Sequence, residues 1–253
     1  MAIDLPILLR AYSLGLFPMA DDRADRSVFW VEPERRAVLP LNGFHLSKSL
    51  RKTIRADRFE VTADTAFEQV IALCAQSAED RPSTWINHDI EEAFIRLHHR
   101  RLAHSIEVWS HEDGQRRLVG GLYGLALGRA FFGESMFSRS RDASKVAMAW
   151  LVARLRVGGF TLLDCQFMTP HLASLGAVEI TAEDYSALLA SALGAGEADG
   201  EAGEGAGEAD SASFVALDSL AAESAAREAL LATRTVSGPA SGQLIVQLIT
   251  QTS

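Results

Sequence analysis

A chain of 253 residues, 48% of them hydrophobic, is long enough for one large domain or two small ones around a real core. No run of about 18 apolar residues occurs, and the opening MAIDLPILLRAYSLG sets Asp4 and Arg10 around too short an apolar stretch for a signal peptide or spanning helix, so a cytoplasmic globular protein is expected. The formal charge of −9 is uneven: residues 194–253 hold nine acids against two arginines, a balance of −7, which leaves −2 for the rest and excludes neither an anionic partner nor a local basic face.

Residues 5–15 read as a helix, followed by a turn, GLFPMADD, with Phe17, Pro18 and Met19 in it. Phe29 to Val31 and Ala37 to Leu41 read as short extended pieces separated by Pro33 and two arginines. From Leu46 to Arg58 a helix is predicted. Leu46, Leu50 and Ile54 repeat every four positions, while Lys48, Arg51, Lys52 and Arg55 fall opposite them. A cationic face with no acid on it is either a solvated surface or a phosphate contact. Asp64 is placed as the cap of a helix through Phe67, Val70, Ile71 and Cys74, and a polar loop leads to Trp85, half-buried or free to stack on a base. A further helix starts near Asp89. His98, His99 and His104 lack metal-like spacing, and Cys74 and Cys165 have no paired spacing, which fits a reduced compartment and gives no metal motif.

Ser105 to Trp109 alternates like a strand. HEDGQ then forms a hairpin turn, and LVGGLYGLAL is a second strand whose glycines permit close approach. The Gly120-Gly121-x-x-Gly124 pattern lacks the Lys-Ser/Thr of a P-loop, which argues against a nucleotide cradle. The chemistry concentrates between Gly133 and Gln166. A strand is expected to end at Glu134. A helix follows, with Asp142 as N-cap and Gly158-Gly159 as its stop, and then a buried strand turns polar at Asp164-Cys165-Gln166. Two carboxylates and an amide can then meet, although polar residues at strand ends are also ordinary capping features. Thr169-Pro170 starts a short helix, AVEI is another strand, and Thr181 with Asp184 resembles a capping box for a helix to Leu193. The stretch GAGEADGEAGEGAGEADSAS is Gly/Ala/acid low complexity and reads as a disordered linker. A helix from Leu217 to Ala232 and an apolar end, QLIVQLIT, suited to an edge strand, complete the chain.

Taken together, GLFPM, WxxPxxRAVLPL, FHLSKSL, TWI, AHSIEVW, LVGGLYG, FFGESMFSR, ASK, DCQ and HLASLGAVEI resemble the leucyl/phenylalanyl-tRNA–protein transferases over residues 5 to 185. The resemblance implies an α/β (α+β) fold with an acetyltransferase-like (GNAT/Fem-type) mixed sheet and flanking helices, after a small N-terminal domain. The expected units are residues 1–36, a catalytic domain 37–193, the acidic linker 194–213 and a C-terminal appendage 214–253. It also implies a cytoplasmic aminoacyltransferase, expected as a monomer with no cofactor and no membrane partner. Such an enzyme moves Leu, Phe or Met from aminoacyl-tRNA to proteins with N-terminal Arg or Lys and so marks them for N-end-rule degradation.

Because the ester donor is already activated, such a site needs positioning, a neutral amine and oxyanion stabilisation rather than a protein nucleophile. By resemblance, Asp164 orients or polarises Gln166, whose carbonyl accepts an amine proton, and Glu134 supplies negative charge for the acceptor. Leu122, Phe131 and Leu163 surround the transferred side chain, and Trp85 lies near the terminal adenosine. Met19 stands where some relatives have an aromatic. Lys48, Arg51, Lys52 and Arg55, with Arg36, are added as tRNA phosphate contacts. Two rivals remain, an acyl-CoA-dependent N-acetyltransferase and a non-catalytic RNA-binding module. SRSRDASK lacks the glycines of an acyl-CoA pyrophosphate loop, and the second rival leaves Glu134, Asp164 and Gln166 without a purpose.

Overall fold

The computed structural model describes residues 2–76, 84–194, 212–223 and 240–251. A small two-stranded sheet pairs β1 (Phe17–Met19) with β2 (Phe29–Val31), so part of the expected turn is extended. The main sheet has seven strands. In chain order they are β3 (Arg35–Val38), β4 (Glu60–Ala63), β5 (Ala103–Ser110), β6 (Arg117–Leu127), β7 (Ala130–Ser138), β8 (Leu162–Gln166) and β9 (Val178–Thr181), and in space they run β4-β5-β6-β7-β8-β3-β9. Among the described residues only β7 and β8 pair in parallel, as a strand-helix-strand unit requires; the other neighbours are antiparallel.

Helices cover both faces. They are α1 (Leu5–Ser13), α2 (Lys48–Arg55), α3 (Phe67–Cys74), α4 (His88–His99), α5 (Ala143–Val157), α6 (Pro170–Ser174), α7 (Ala182–Ala192), α8 (residues 216–223) and α9 (Gly242–Thr250). Successive strand residues serve opposite cores: Leu122, Phe131 and Leu163 pack on the side of α2, α5 and α9, whereas Tyr123, Phe132 and Leu162 pack on the side of α1, α3, α4 and α7. Burial on both faces is why these strands read as continuous apolar runs. Helix α5 is buried over most of its surface because the sheet covers one side and α2 and α9 the other.

Several expectations fail for local reasons. Asp64 does not cap α3; at φ 58° it accepts from the Ser105 backbone N–H (2.8 Å) and pairs with His104 Nδ1 (2.7 Å). Asp142 does occupy the N-cap position of α5, as expected, but in a left-handed conformation (φ 68°) and with no side-chain cap bond. Strand β7 continues to Ser138, which puts Glu134 in mid-strand rather than at a strand end. Helix α4 begins at His88, near Asp89 as expected, with Asn87 as its cap. QLIVQLIT is helical: Ser241 caps α9, and Ile245, Val246 and Ile249 face α2 and α5. Most of the acidic linker and the end of the helix expected to Ala232 lie outside the described residues.

Candidate active site

The site exists because the sheet splits. Strands β7 and β8 pair only from Ala130 to Phe132 and from Leu162 to Asp164. Beyond that, β7 stays with β6 as far as Ser138, while β8 stays with β3 as far as Gln166. The diverging ends let side chains from both sheet faces line one cavity of ≈ 610 Å³. Its apolar wall includes Leu122, Met136, Met148, Leu151, Leu163 and Leu172, and its polar wall includes Glu134 and Gln166.

Glu134 is 7% exposed. Its Oε1 accepts a hydrogen bond from Tyr12 Oη (2.8 Å), while Oε2 is buried without a hydrogen-bond partner among the described residues. Loss of water pushes its carboxyl up to about 8; the Asp164 charge adds to this, and Tyr12, the Gln166 amide and Arg36 pull it partly back. Gln166 Nε2 lies near enough to favour the carboxylate but makes no hydrogen bond of ordinary geometry. The Tyr12 hydroxyl, buried against Glu134, is in turn raised well above its usual value, first by desolvation.

The raised Glu134 has a consequence for stability. Above the ordinary carboxylate range the unfolded chain ionises Glu134 while the folded chain keeps its proton, so this group's contribution is lost as pH rises towards about 8. Glu134→Gln, which keeps an acceptor for Tyr12, is expected to melt higher than the parent. The gap should widen from about pH 5 to about pH 8 and then level, reaching on the order of a few kcal/mol. Thermal melts across that range check it; a pH-independent gap would contradict the buried carboxyl.

Asp164 is fully buried and does not line the cavity. Both its oxygens are occupied. Arg36 Nε donates to Oδ1 (2.9 Å) and Oδ2 (3.1 Å), Arg36 Nη2 donates to Oδ2 (2.5 Å), Tyr185 Oη donates to Oδ2 (2.9 Å), and the Gln166 backbone N–H donates to Oδ1 (2.8 Å). Gln166 has φ 62°, a left-handed conformation uncommon outside glycine, and lines the cavity from this bend. Asp164 therefore acts on Gln166 through the backbone; no bond joins it to the Gln166 side-chain amide among the described residues.

Of the other predicted site residues, Leu122, Leu163 and Trp85 line the cavity. Phe131 does not. It is fully buried behind the wall, stacked on Phe214 at 5.6 Å between ring centroids and pressed against Gly124, where any Cβ would collide with its ring. Arg36 is a second correction. At 1% exposure, with its donors committed to Asp164 and to the Gly15 carbonyl (2.8 Å), it has no surface to offer a tRNA phosphate. Lys48, Arg51, Lys52 and Arg55 line a shallow surface depression on α2, and no ion pair engages them among the described residues. Met19 is half-buried in β1, paired with Phe29.

Tyr12 and Tyr185 were not legible as site residues, since their partners lie 122 and 21 positions away. The available signal was a tyrosine on the apolar stripe of each helix, because a buried phenol needs a partner.

A family model described as "Leucyl/phenylalanyl-tRNA protein transferase" matches residues 38–190, and one for that family's N-terminal domain matches residues 1–34. The chain belongs to the leucyl/phenylalanyl-tRNA–protein transferase family. Relatives of that name include one from Rhizorhabdus wittichii, 59% identical over 100% of this chain and 99% of its own. Another, from Zymomonas mobilis, is 60% identical over 79% of this chain and 74% of its own. The crystal structure of FemX aligns with a TM-score of 0.48 and 9% identity over 69% of this chain and 66% of that one. Within the family match fall Glu134, Asp164, Gln166 and the whole apolar wall; α8 and α9 lie beyond it.

Proposed function

We propose that this chain transfers Leu, Phe or Met from aminoacyl-tRNA to the α-amine of proteins beginning with Arg or Lys, marking them for N-end-rule degradation. The observation that carries this reading is the pairing of a buried, unpartnered carboxylate oxygen and amide, on Glu134 and Gln166, with a wall of Leu and Met side chains. The apolar wall takes the transferred side chain. A wall with two flexible methionines, Met136 and Met148, accepts Leu, Phe and Met alike, and a methylene-scale mismatch there discriminates by only about 1–3 kcal/mol.

At the polar wall, the acceptor amine must lose a proton before it can attack. A Glu134 carboxyl poised at about 8 matches an α-amine of ordinary basicity, so the two can share a proton, and a cationic Arg or Lys side chain draws the carboxyl into its charged form. The amine nitrogen bonds to the ester carbonyl carbon, with an amine hydrogen held by the Gln166 side-chain oxygen. The bond from that carbon to the ribose oxygen then breaks, and the amine's proton ends on the departing ribose hydroxyl. An acceptor with a neutral first residue offers no cation to draw Glu134 out of its protonated form, which leaves the amine without a base and disfavours it.

Trp85 stacks on the terminal adenosine, and the α2 cations meet phosphates of the tRNA body. The chain acts as a cytoplasmic monomer; among the described residues no helix is long and apolar enough to cross a membrane. The test is to incubate the protein with charged tRNA and a peptide starting with Arg. Mass spectrometry should show one leucyl or phenylalanyl residue on the α-amine. Binding of tRNA without transfer, or acetyl transfer from acetyl-CoA, would overturn the reading. In the same system, Lys52→Ala with Arg55→Ala is expected to weaken tRNA binding and flatten its salt slope by roughly 1 for each phosphate no longer neutralised.

A further inference from the structure

We propose that Arg36 is a positioning residue: it clamps Asp164, and through Asp164 holds the left-handed bend that sets Gln166 in the cavity wall. The proposal rests on the transfer reading above.

Strand β3 lies between β8 and β9, which brings Arg36 beside Asp164 from the adjacent strand. The guanidinium edge is used three ways, with two nitrogens on the carboxylate and Nη1 on the Gly15 carbonyl. Its faces are used as well: the Phe17 ring centroid lies 4.9 Å from Arg36 Cζ and the Tyr185 centroid 4.4 Å. A planar cation with donors around its rim fits between two rings, and a lysine ammonium cannot reproduce that arrangement. One side chain therefore ties the loop after α1, strand β1, helix α7 and the Asp164 carboxylate together.

Asp164 transmits the constraint. Its Oδ1 accepts the N–H of the residue two positions on, the Asx-turn geometry that stabilises a local bend. With four donors around it, Asp164 has no free lone pair facing the reaction; its part is to hold the backbone. Arg36 is also the cation of the buried cluster. The groups facing Glu134 are Tyr12 from α1, Asp164 from β8 and Arg36 from β3, with Tyr123 on β6 beside Tyr12, Tyr185 on α7 beside Asp164 and the Cys165 thiol on β8. Arg36 favours the Glu134 carboxylate, whereas Asp164 opposes it. Removing the Arg36 charge should therefore move the Glu134 titration to higher pH.

The test compares Arg36→Lys, Arg36→Gln and Arg154→Lys. Arg154 is likewise a buried arginine, paired with Asp218, that does not line the cavity. Steady-state transfer, its pH profile and thermal midpoints are measured together. Arg36→Lys should lower kcat by about 10- to 100-fold with KM for aminoacyl-tRNA unchanged, as expected for loss of alignment. Arg36→Gln should lower kcat similarly and also shift the acid limb of the profile to higher pH. Arg154→Lys, at a comparable loss of thermal midpoint, should keep kcat. The proposal is overturned if the Arg36 variants keep kcat, or lose it only in step with thermal midpoint as Arg154→Lys does. If they do not fold, Tyr185→Phe, which keeps the ring but removes one Asp164 donor, decides the matter by the same split between kcat and KM. A parent protein with no transfer at all would refute the transfer reading, whereas an active parent with indifferent Arg36 variants would refute this proposal alone.

Discussion

Asp164→Asn is expected to lower single-turnover transfer from Phe-tRNA to an Arg-starting peptide by about 100-fold while tRNA affinity holds, a loss of roughly 2.7 kcal/mol of transition-state stabilisation. The amide keeps the volume of the carboxylate but turns an NH₂ towards a guanidinium that now has no counter-charge. A buried ion pair broken at one partner typically costs about 3–5 kcal/mol, so the thermal midpoint should fall as well. The decisive quantity is the rate per folded molecule at a temperature where the variant is intact. The cavity wall and the α2 cations are untouched by the change, so donor binding should persist. Unchanged single-turnover rates would show that the Gln166 bend needs no anchor and would remove Asp164 from the mechanism.

The polar part of the site was legible for a simple reason. Glu134, Asp164 and Gln166 interrupt apolar strands, and a polar residue in such a run needs an explanation; Leu122 and Leu163 were reachable by family resemblance. What stayed hidden depends on register and on contacts across long sequence separations. Phe131 and Phe132 are adjacent and both fully buried, yet they serve opposite cores, and nothing local indicates that the ring in register with Leu163 sits behind the cavity wall rather than in it. Arg36 looked like a surface cation because arginines usually are. Its neighbours Ala37, Val38 and Leu39 are all buried, and a cation at the head of such a run is a candidate for a buried pair. QLIVQLIT was misread because a short apolar run with β-branched residues fits strand and helix equally. The deciding cue was Ser241, whose hydroxyl accepts the Leu244 N–H at the start of α9.

Removal of residues 212–253 is expected to cost the protein its cooperative fold. Phe214, Leu217, Ile245, Val246 and Ile249 are buried in the same core as α5 and the cavity wall, although α8 and α9 lie beyond the family match. Burying side chains of this kind is worth about 1.5–3 kcal/mol each before ordering costs, and native domains have only about 5–15 kcal/mol to lose. Polar ties add to the packing: Arg154 bonds Asp218 through two nitrogens at 2.7 Å, and the Gly242 N–H donates to Asp57 Oδ1 at 2.7 Å, just past α2. Phe214 concentrates the effect, since its ring stacks on both Phe131 and His104. Phe214→Ala alone should lower stability by about 3–5 kcal/mol, read as an earlier thermal or urea transition, with transfer per folded molecule retained because Phe214 does not line the cavity. If the truncated chain melted cooperatively within a few degrees of the parent, the C-terminal helices would be passengers, and the α2 cationic face would not depend on α9 for its position.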